Sequence, residues 1–173
     1  MPNSRMTETE KKYEKILFKY HSNVLEELTV ETMWCEIIDE ENGIYKLDNI
    51  PFYGPLIATD DEFYAKFEES EQMLTYQKTT KFSGNSIVLV MILQNGFDKE
   101  IIRNRFKELK CTSEGLNDSY FSMEILKDIN YFEIKKMLTE YENDGILEYS
   151  EPCLSEKHQA DLKKITRHNN GYN

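Results

Sequence analysis

Acidic side chains concentrated in one stretch of the chain are its most prominent candidates for chemistry. Between Glu26 and Glu71 there are fourteen acidic and two basic residues, a formal charge of −12, while the whole 173-residue chain carries −11. Residues 39–43 do not complete a calcium loop, because the glycine comes one position early and no glutamate closes a twelve-residue loop. The acids at 60–62 have no histidine near them in the sequence. We therefore predict neither a metal nor a cofactor.

An acidic surface repels the phosphates of nucleic acid, and it attracts and steers a basic protein. The leading hypothesis is a non-enzymatic protein-binding protein, specifically a bacterial immunity protein (antitoxin) that occludes a basic toxin or nuclease domain. The predicted partner-binding residues are Asp39, Glu40, Glu41, Tyr45, Asp60, Asp61, Glu62, Tyr64, Glu68 and Glu69. Tyr45, Phe63 and Tyr64 are expected to be exposed aromatics at this surface. Reversing the three acids at 60–62 to lysine is expected to slow association and to change stability little.

No direct contact with nucleic acid or with a membrane is expected, and the sequence leaves the oligomeric state open. No apolar run approaches the roughly 20 residues of a membrane-spanning helix. The polar N-terminus and three widely spaced cysteines, without a CxxC pair, favour a cytoplasmic protein with reduced thiols.

Nucleophilic catalysis has little support in the sequence. Cys35 lies beside Trp34 in an apolar run, without a basic neighbour that would lower the pKa of its thiol. Ser83 lacks the GxSxG context of a nucleophile elbow and is more typical of a turn. Neither residue is therefore predicted to be catalytic.

The alternative hypothesis is a small-molecule or nucleotide-handling enzyme with a pocket between two halves of the chain. The proline segment at 51–55 would roof that pocket, and Asp48, Asn49 and Asp60 would have to converge on it. A regulatory ligand-binding module is a third possibility. On its own, the proline segment is interpreted as a stiff structural connection between strands.

Hydrophobic periodicity predicts an α+β protein. Five short alternating segments, the first with Ile16 and Phe18 on one face, predict an N-terminal five-stranded curled sheet or small barrel. The pair Asn42-Gly43 predicts a hairpin turn with positive φ at both central positions. From Ser86 the order β-α-β-β-α-β is typical of a ferredoxin-like half. The predicted organisation is a disordered leader at 1–12, the curled β-sheet half at 13–83, the ferredoxin-like half at 84–154 and a polar tail at 155–173.

Local signals mark the helices of the second half. Asp98 is positioned to cap the first helix, and Asn130, with Glu133 three residues later, resembles a capping box before the second. Gly145 stands where a helix C-terminus favours glycine. The apolar run at 86–93 lacks polar alternation, which predicts a strand covered on both faces.

Several blocks of the sequence resemble a bacterial family catalogued as domain of unknown function 4265. The resembling features are the Trp34-x-Glu36 pair, the block Tyr45-Lys46-Leu47-Asp48-Asn49-Ile50-Pro51-Phe52 and the turn Ser83-Gly84-Asn85-Ser86. The resemblance covers roughly residues 14–152. It implies the architecture described above and no particular activity. Where the family often has Gly-Asp at a strand entry, this chain has Thr59-Asp60-Asp61.

Overall fold

The computed structural model describes residues 11–22 and 26–169, with side chains up to residue 164. Most of the predicted leader, residues 1–10, lies outside the described residues. In chain order the elements are β1 (Tyr13–Ser22), β2 (Glu27–Asp39), β3 (Ile44–Leu47), β4 (Glu62–Glu68), β5 (Met73–Lys81), β6 (Ser86–Ile92), α1 (Lys99–Glu108), β7 (Thr112–Gly115), β8 (Tyr120–Ile125), α2 (Tyr131–Asn143), β9 (Leu147–Cys153) and α3 (Glu156–Asn169). None of the helices among these residues is long and apolar enough to cross a membrane.

Strands β1 to β5 form a closed barrel in sequence order. Consecutive strands pair antiparallel, so the first and fifth strands run in the same direction and close the barrel as a parallel pair. That closure is made at Leu17 and Thr75. The predicted mixed α+β class, with a five-stranded N-terminal sheet, is confirmed.

Aromatic rings fill the barrel. The ring centroid of Phe18 lies 5.3 Å from that of Phe63 and 5.1 Å from that of Tyr76, and Tyr45 stacks on Phe63 at 6.1 Å. Tyr45 and Phe63 are 3% and 0% exposed, so the prediction that they are surface aromatics is wrong. The period-two alternation with Leu47 and Ala65, both buried, places the two rings on the inner face.

The turn between β2 and β3 differs from the predicted form in one respect. Gly43 has a φ of +66°, whereas Asn42 does not adopt positive φ. The carboxylate of Asp39 accepts hydrogen bonds from both the backbone and the side-chain amide of Asn42, at 3.1 and 2.7 Å, which holds that residue in place. Glycine is required at 43, because a Cβ there would lie 2.7 Å from the carbonyl oxygen of Ala65.

The second half is a four-stranded sheet in the order β7-β8-β6-β9, with all neighbouring strands antiparallel. One face of β6 packs under the helices, where Val88 and Val90 join Phe106 of α1 and Leu138 of α2 in one core. The predicted caps are confirmed, since the side chains of Asp98 and Asn130 accept hydrogen bonds from backbone amides of the first helical turn. Gly145 has the predicted positive φ.

The opposite face of β6 joins the two halves. Ile87 and Leu89 from this face pack with Tyr120 of β8 and with Ile50 and Ala58 from the segment between β3 and β4. Strand β6 is therefore covered on both faces, as its unbroken apolar sequence predicts.

The C-terminal region differs from the predicted polar tail, because α3 occupies most of it. His158 is fully buried and Asp161 is 9% exposed. The Nδ1 atom of His158 lies 2.6 Å from the hydroxyl of Ser86, and Asp161 accepts a hydrogen bond from the backbone amide of Tyr131 at 3.1 Å. Polar contacts with distant residues, together with Leu162 packed against the helix-side core, therefore dock this helix.

Candidate ligand-binding cavity

The segment between β3 and β4 is held by hydrogen bonds from both halves. From the second sheet, the hydroxyl of Ser122 donates to the carbonyl of Pro51 at 2.5 Å, and the hydroxyl of Tyr120 donates to the carbonyl of Phe52. From the barrel, the carboxylate of Glu31 accepts from the amide of Phe52 at 2.8 Å. The proline segment is thus fixed in one position relative to both halves.

Glu31 is a partly buried acid at this junction. It also accepts a hydrogen bond from the hydroxyl of Tyr20 at 3.0 Å. Burial raises the pKa of Glu31, while hydrogen bonds from Phe52, Tyr20 and Tyr53 act in the opposite direction. Burial likewise raises the pKa of Tyr20, which keeps its hydroxyl protonated as a donor.

A cavity of about 850 Å³ lies between the barrel and the second sheet. It is lined by residues 18–21 of β1, residues 54–57 of the proline segment, Tyr76 of β5, Leu89 and Met91 of β6, Tyr120 of β8, Glu142 of α2 and residues 148–152 of β9. The lining residues Phe18 and Tyr76 directly follow Leu17 and Thr75, the pair that closes the barrel. The cavity therefore lies next to the contact between β1 and β5.

Glycine is needed at one point of the cavity wall. Gly54 has a φ of +82°, and a Cβ added there would lie 3.0 Å from the Cβ of Pro152 and 3.4 Å from Leu89. The absence of a side chain lets the proline segment approach strands β6 and β9 closely. The wall is therefore built by close backbone contact between the two halves.

The aromatic lining presents ring surfaces, because several of its hydroxyls are occupied within the protein. The hydroxyl of Tyr20 is bound to Glu31 and that of Tyr120 to the backbone of Phe52. The hydroxyl of Tyr76 lies 2.9 Å from that of Thr79. These bonds fix the three rings, and Tyr20 and Tyr76 remain partly exposed, whereas Tyr120 is 6% exposed.

The residues proposed for the alternative site do not meet at this cavity. Asp48, Asn49 and Asp60 are absent from its lining. Asn49 instead accepts a hydrogen bond from the backbone amide of Trp34 at 2.6 Å. The cavity lies between the halves and beside the proline segment, and most of its lining comes from β1, residues 54–57 and β9.

The predicted partner-binding acids are divided between two ends of the barrel. The β2–β3 and β4–β5 turns lie at the same end, because the strands run antiparallel in sequence order. We call this end, which carries Asp39, Glu40, Glu41, Glu68 and Glu69, the acidic end. Residues 60–62 lie at the opposite end. Tyr64 reaches the acidic end, where its ring would lie 2.9 Å from a Cβ on Gly43.

Asp61 is a structural residue and not a surface acid, which corrects the prediction. It is 2% exposed, and its two carboxylate oxygens accept hydrogen bonds from the amides of Ala58 at 3.0 Å and Ser83 at 2.7 Å. Burial raises its pKa, while these hydrogen bonds oppose the shift. Asn85 reinforces the same junction through the carbonyl of Thr59 and the amide of Lys127.

Nucleophilic side chains in the described region are poorly placed for catalysis. Cys35 is fully buried, and burial raises the pKa of its thiol. The hydroxyl of Ser83 accepts a hydrogen bond from the amide of Asn85 at 3.1 Å. Ser86 and His158 form a serine–histidine pair, but both are fully buried, and the hydroxyl also accepts the amide hydrogen of Ser155.

Metal ligation has no geometric support within the described part of the chain. No three histidine, cysteine, aspartate or glutamate side chains in residues 11–22 and 26–164 lie close enough together to hold a metal ion. The acids at 60–62 illustrate the reason, because Asp61 points into the protein while Glu62 pairs with Lys81 at 2.7 Å.

The fold and cavity define a two-part α+β protein, in which a closed five-stranded barrel is joined to a helix-covered antiparallel sheet. The chain belongs to the family described as domain of unknown function (DUF4265), whose sequence model matches residues 31–149. This confirms the resemblance seen in the sequence.

The chain is also similar to a solved structure described as "Novel crystal structure of a hypothetical protein from Neisseria gonorrhoeae", with 24% identity and a TM-score of 0.70. That similarity covers 83% of this chain and 96% of the other and concerns the fold alone. The comparison with curated proteins finds no match.

Proposed function

We propose that the protein binds a small organic molecule in the cavity between its two halves, without transforming it chemically. The main observation in support of this proposal is a cavity of about 850 Å³, whose walls are formed by the barrel, the proline segment and the second sheet. Its size falls within the roughly 300–1,000 Å³ of small-molecule sites, and such sites often lie between structural units. The buried state of Cys35, Ser86 and His158 supports binding over covalent catalysis.

Filling the cavity with a large side chain is expected to abolish binding. Ser150 lines the cavity and is partly exposed, so Ser150→Trp places an indole inside it. A panel of neutral, cationic and anionic aromatic fragments at millimolar concentration would be tested by amide chemical-shift changes in the folded protein. We expect shifts at the lining residues of β1 and β9 in the wild type and their loss in the variant.

The matched control is Ser70→Trp, in the exposed β4–β5 turn, which leaves the cavity open. It should bind the same fragments as the wild type. Fragment shifts that lie outside the lining residues, or that persist unchanged in Ser150→Trp, would refute the cavity as the binding site.

A second candidate function, an immunity protein that occludes a basic toxin domain, is favoured by the acidic end. Glu40, Glu41 and Glu69 are exposed there and make no ion pair with a described residue. Glu68 is paired with Lys66 at 3.1 Å. The two turns therefore present an unneutralised negative surface that would attract a basic partner.

Reversing the charge of the acidic end is expected to slow association with a basic partner by at least about tenfold. The variant carries Glu40→Lys, Glu41→Lys and Glu69→Lys, and its stability should stay close to that of the wild type because exposed charges contribute little. Association kinetics would be measured over a salt series against a protein captured from the native host. A control with lysine at Glu114, Glu133 and Glu140, all exposed on the second half, should associate normally. If both triple variants associate with the partner at the same rate, the immunity-protein hypothesis loses its support from the acidic end.

Two finer assignments accompany the proposal. The strand order β7-β8-β6-β9, with antiparallel neighbours and both connecting helices in one core, supports a ferredoxin-like second half. The three cysteines are free thiols, which supports a cytoplasmic location.

A further inference from the structure

We propose that the cavity binds an organic cation, an amine or quaternary ammonium group carried on an aromatic or apolar body. This inference rests on the proposed ligand-binding function and assigns the chemical class of the ligand. Two features of the wall carry it, the unbalanced charge of its side chains and the density of its aromatic rings.

The charged side chains of the wall leave a negative excess. Lys19, the lysine of the lining, is paired with Glu71 at 2.6 Å. Glu151 is neutralised in the same way by Lys135 at 2.7 Å. Two further carboxylates of the lining, Glu142 and Glu148, are solvent-exposed and make no ion pair with a described residue.

A ligand in the cavity therefore meets two carboxylates that lack a protein cation. An anionic ligand would be repelled by them, and Lys19 is already engaged. A cationic ligand would be attracted to these exposed carboxylates, most strongly at low salt.

The aromatic lining suits a cation equally well. On the barrel-facing side the wall includes Tyr20 and Tyr76, which are partly exposed, and Tyr120, which is 6% exposed. The ring of Phe18 lies inside the barrel, and Tyr149 packs against the helix-covered core. The face of an aromatic ring carries partial negative charge and attracts an ammonium group within about 6 Å of the ring centroid. The same rings would enclose the apolar body of such a ligand.

The protein itself shows this mode of binding next to the cavity, on the helix-covered face of β9. The ammonium group of Lys135 lies 4.7 Å from the ring centroid of Tyr149 and 2.7 Å from a carboxylate oxygen of Glu151. Both Tyr149 and Glu151 belong to the lining. A ring and a carboxylate on the helix-covered face of β9 thus hold one primary ammonium, whereas Glu148 lies on the alternate face of the strand, paired with Met91.

The test uses three probes of similar size and different charge: 2-phenylethylamine, 2-phenylethanol and 3-phenylpropionate. Dissociation constants would be measured by calorimetry and amide chemical shifts at pH 7 and low salt. We expect the amine to bind at least about fivefold more tightly than the alcohol, and the carboxylate more weakly than both.

The double variant Glu142→Gln/Glu148→Gln should reduce the affinity for the amine by about fivefold or more and leave that for the alcohol unchanged. Glu140→Gln, an exposed substitution on α2 outside the lining, serves as the matched control and should bind all three probes as the wild type does. Equal loss of amine and alcohol affinity in the double variant would contradict a charge-specific role.

The outcomes separate the two proposals. If the alcohol or the carboxylate binds in the cavity as tightly as the amine, the ligand class is wrong while the binding function stands. If none of the probes, and none of the wider fragment panel, shifts the lining residues, both proposals fall.

Discussion

Replacing Asp61 by lysine is expected to lower the free energy of unfolding by at least about 3–5 kcal/mol, or to prevent folding altogether. Asp61 is 2% exposed, and its carboxylate is the acceptor for two backbone amides, those of Ala58 and Ser83. Lysine would leave both amides without an acceptor and would place an ammonium group beside them. Asp61→Ala removes only the hydrogen-bond acceptor. It is expected to lower the free energy of unfolding by roughly 1–3 kcal/mol for each amide left unsatisfied.

Urea denaturation followed by far-ultraviolet circular dichroism measures both variants. Asp118→Lys, the same substitution at an exposed position between β7 and β8, should stay within about 0.5 kcal/mol of the wild type. A stable Asp61→Lys variant would show that the carboxylate is not structural. From the sequence, replacing the three acids at 60–62 by lysine is expected to change stability little. That expectation applies only to exposed acids, and Asp61 is buried.

His158→Ala is expected to cost roughly 2–4 kcal/mol and to detach α3 from the second sheet. The imidazole is fully buried, and its Nδ1 atom lies 2.6 Å from the hydroxyl of Ser86. The loss of the ring would leave a cavity and would remove the hydrogen-bond partner of the Ser86 hydroxyl. Hydrogen exchange of the α3 amides, together with urea denaturation, would measure the two effects.

The same residue gives stability a defined pH dependence. Burial lowers the pKa of His158 below its ordinary value of 6.5, and the positive charge of Lys157 adds to this effect, while Asp161 opposes it. The unfolded chain therefore takes up a proton at a higher pH than the folded protein does. The stability contributed by the neutral imidazole is complete above about pH 6.5 and is lost as the pH falls through the lowered folded pKa.

His158→Asn should remove this dependence, because the asparagine amide can both donate and accept a hydrogen bond with Ser86 and does not titrate. Between pH 7 and pH 5 the wild type should lose more stability than His158→Asn. His21→Asn, at an exposed position on β1, should retain the wild-type slope. Identical slopes for the wild type and His158→Asn would show that the histidine is not held neutral by burial.

Local patterns in the sequence determine much of the fold. The alternation of Ile16 and Phe18 specifies the inner face of β1. The side chains of Asp98 and Asn130 cap the helices that follow them, each by accepting a hydrogen bond from the backbone amide two residues later. These signals act over a few residues, so the sequence carries them without reference to the rest of the chain. The same alternation, applied to Tyr45 and Leu47, would have placed the tyrosine inside the barrel.

Only the tertiary structure decides where polar side chains are buried and where the cavity lies. The contact between Ser86 and His158 spans 72 residues, and that between Asp61 and Ser83 spans 22. A histidine in a polar segment and an aspartate in an acidic run have the same local sequence whether they are exposed or buried. The cavity likewise depends on the closing pair Leu17 and Thr75 and on the docking of two halves. Hydrogen-bond partners far apart in sequence meet only once the chain has folded, and for that physical reason the site could not be located from the residues alone.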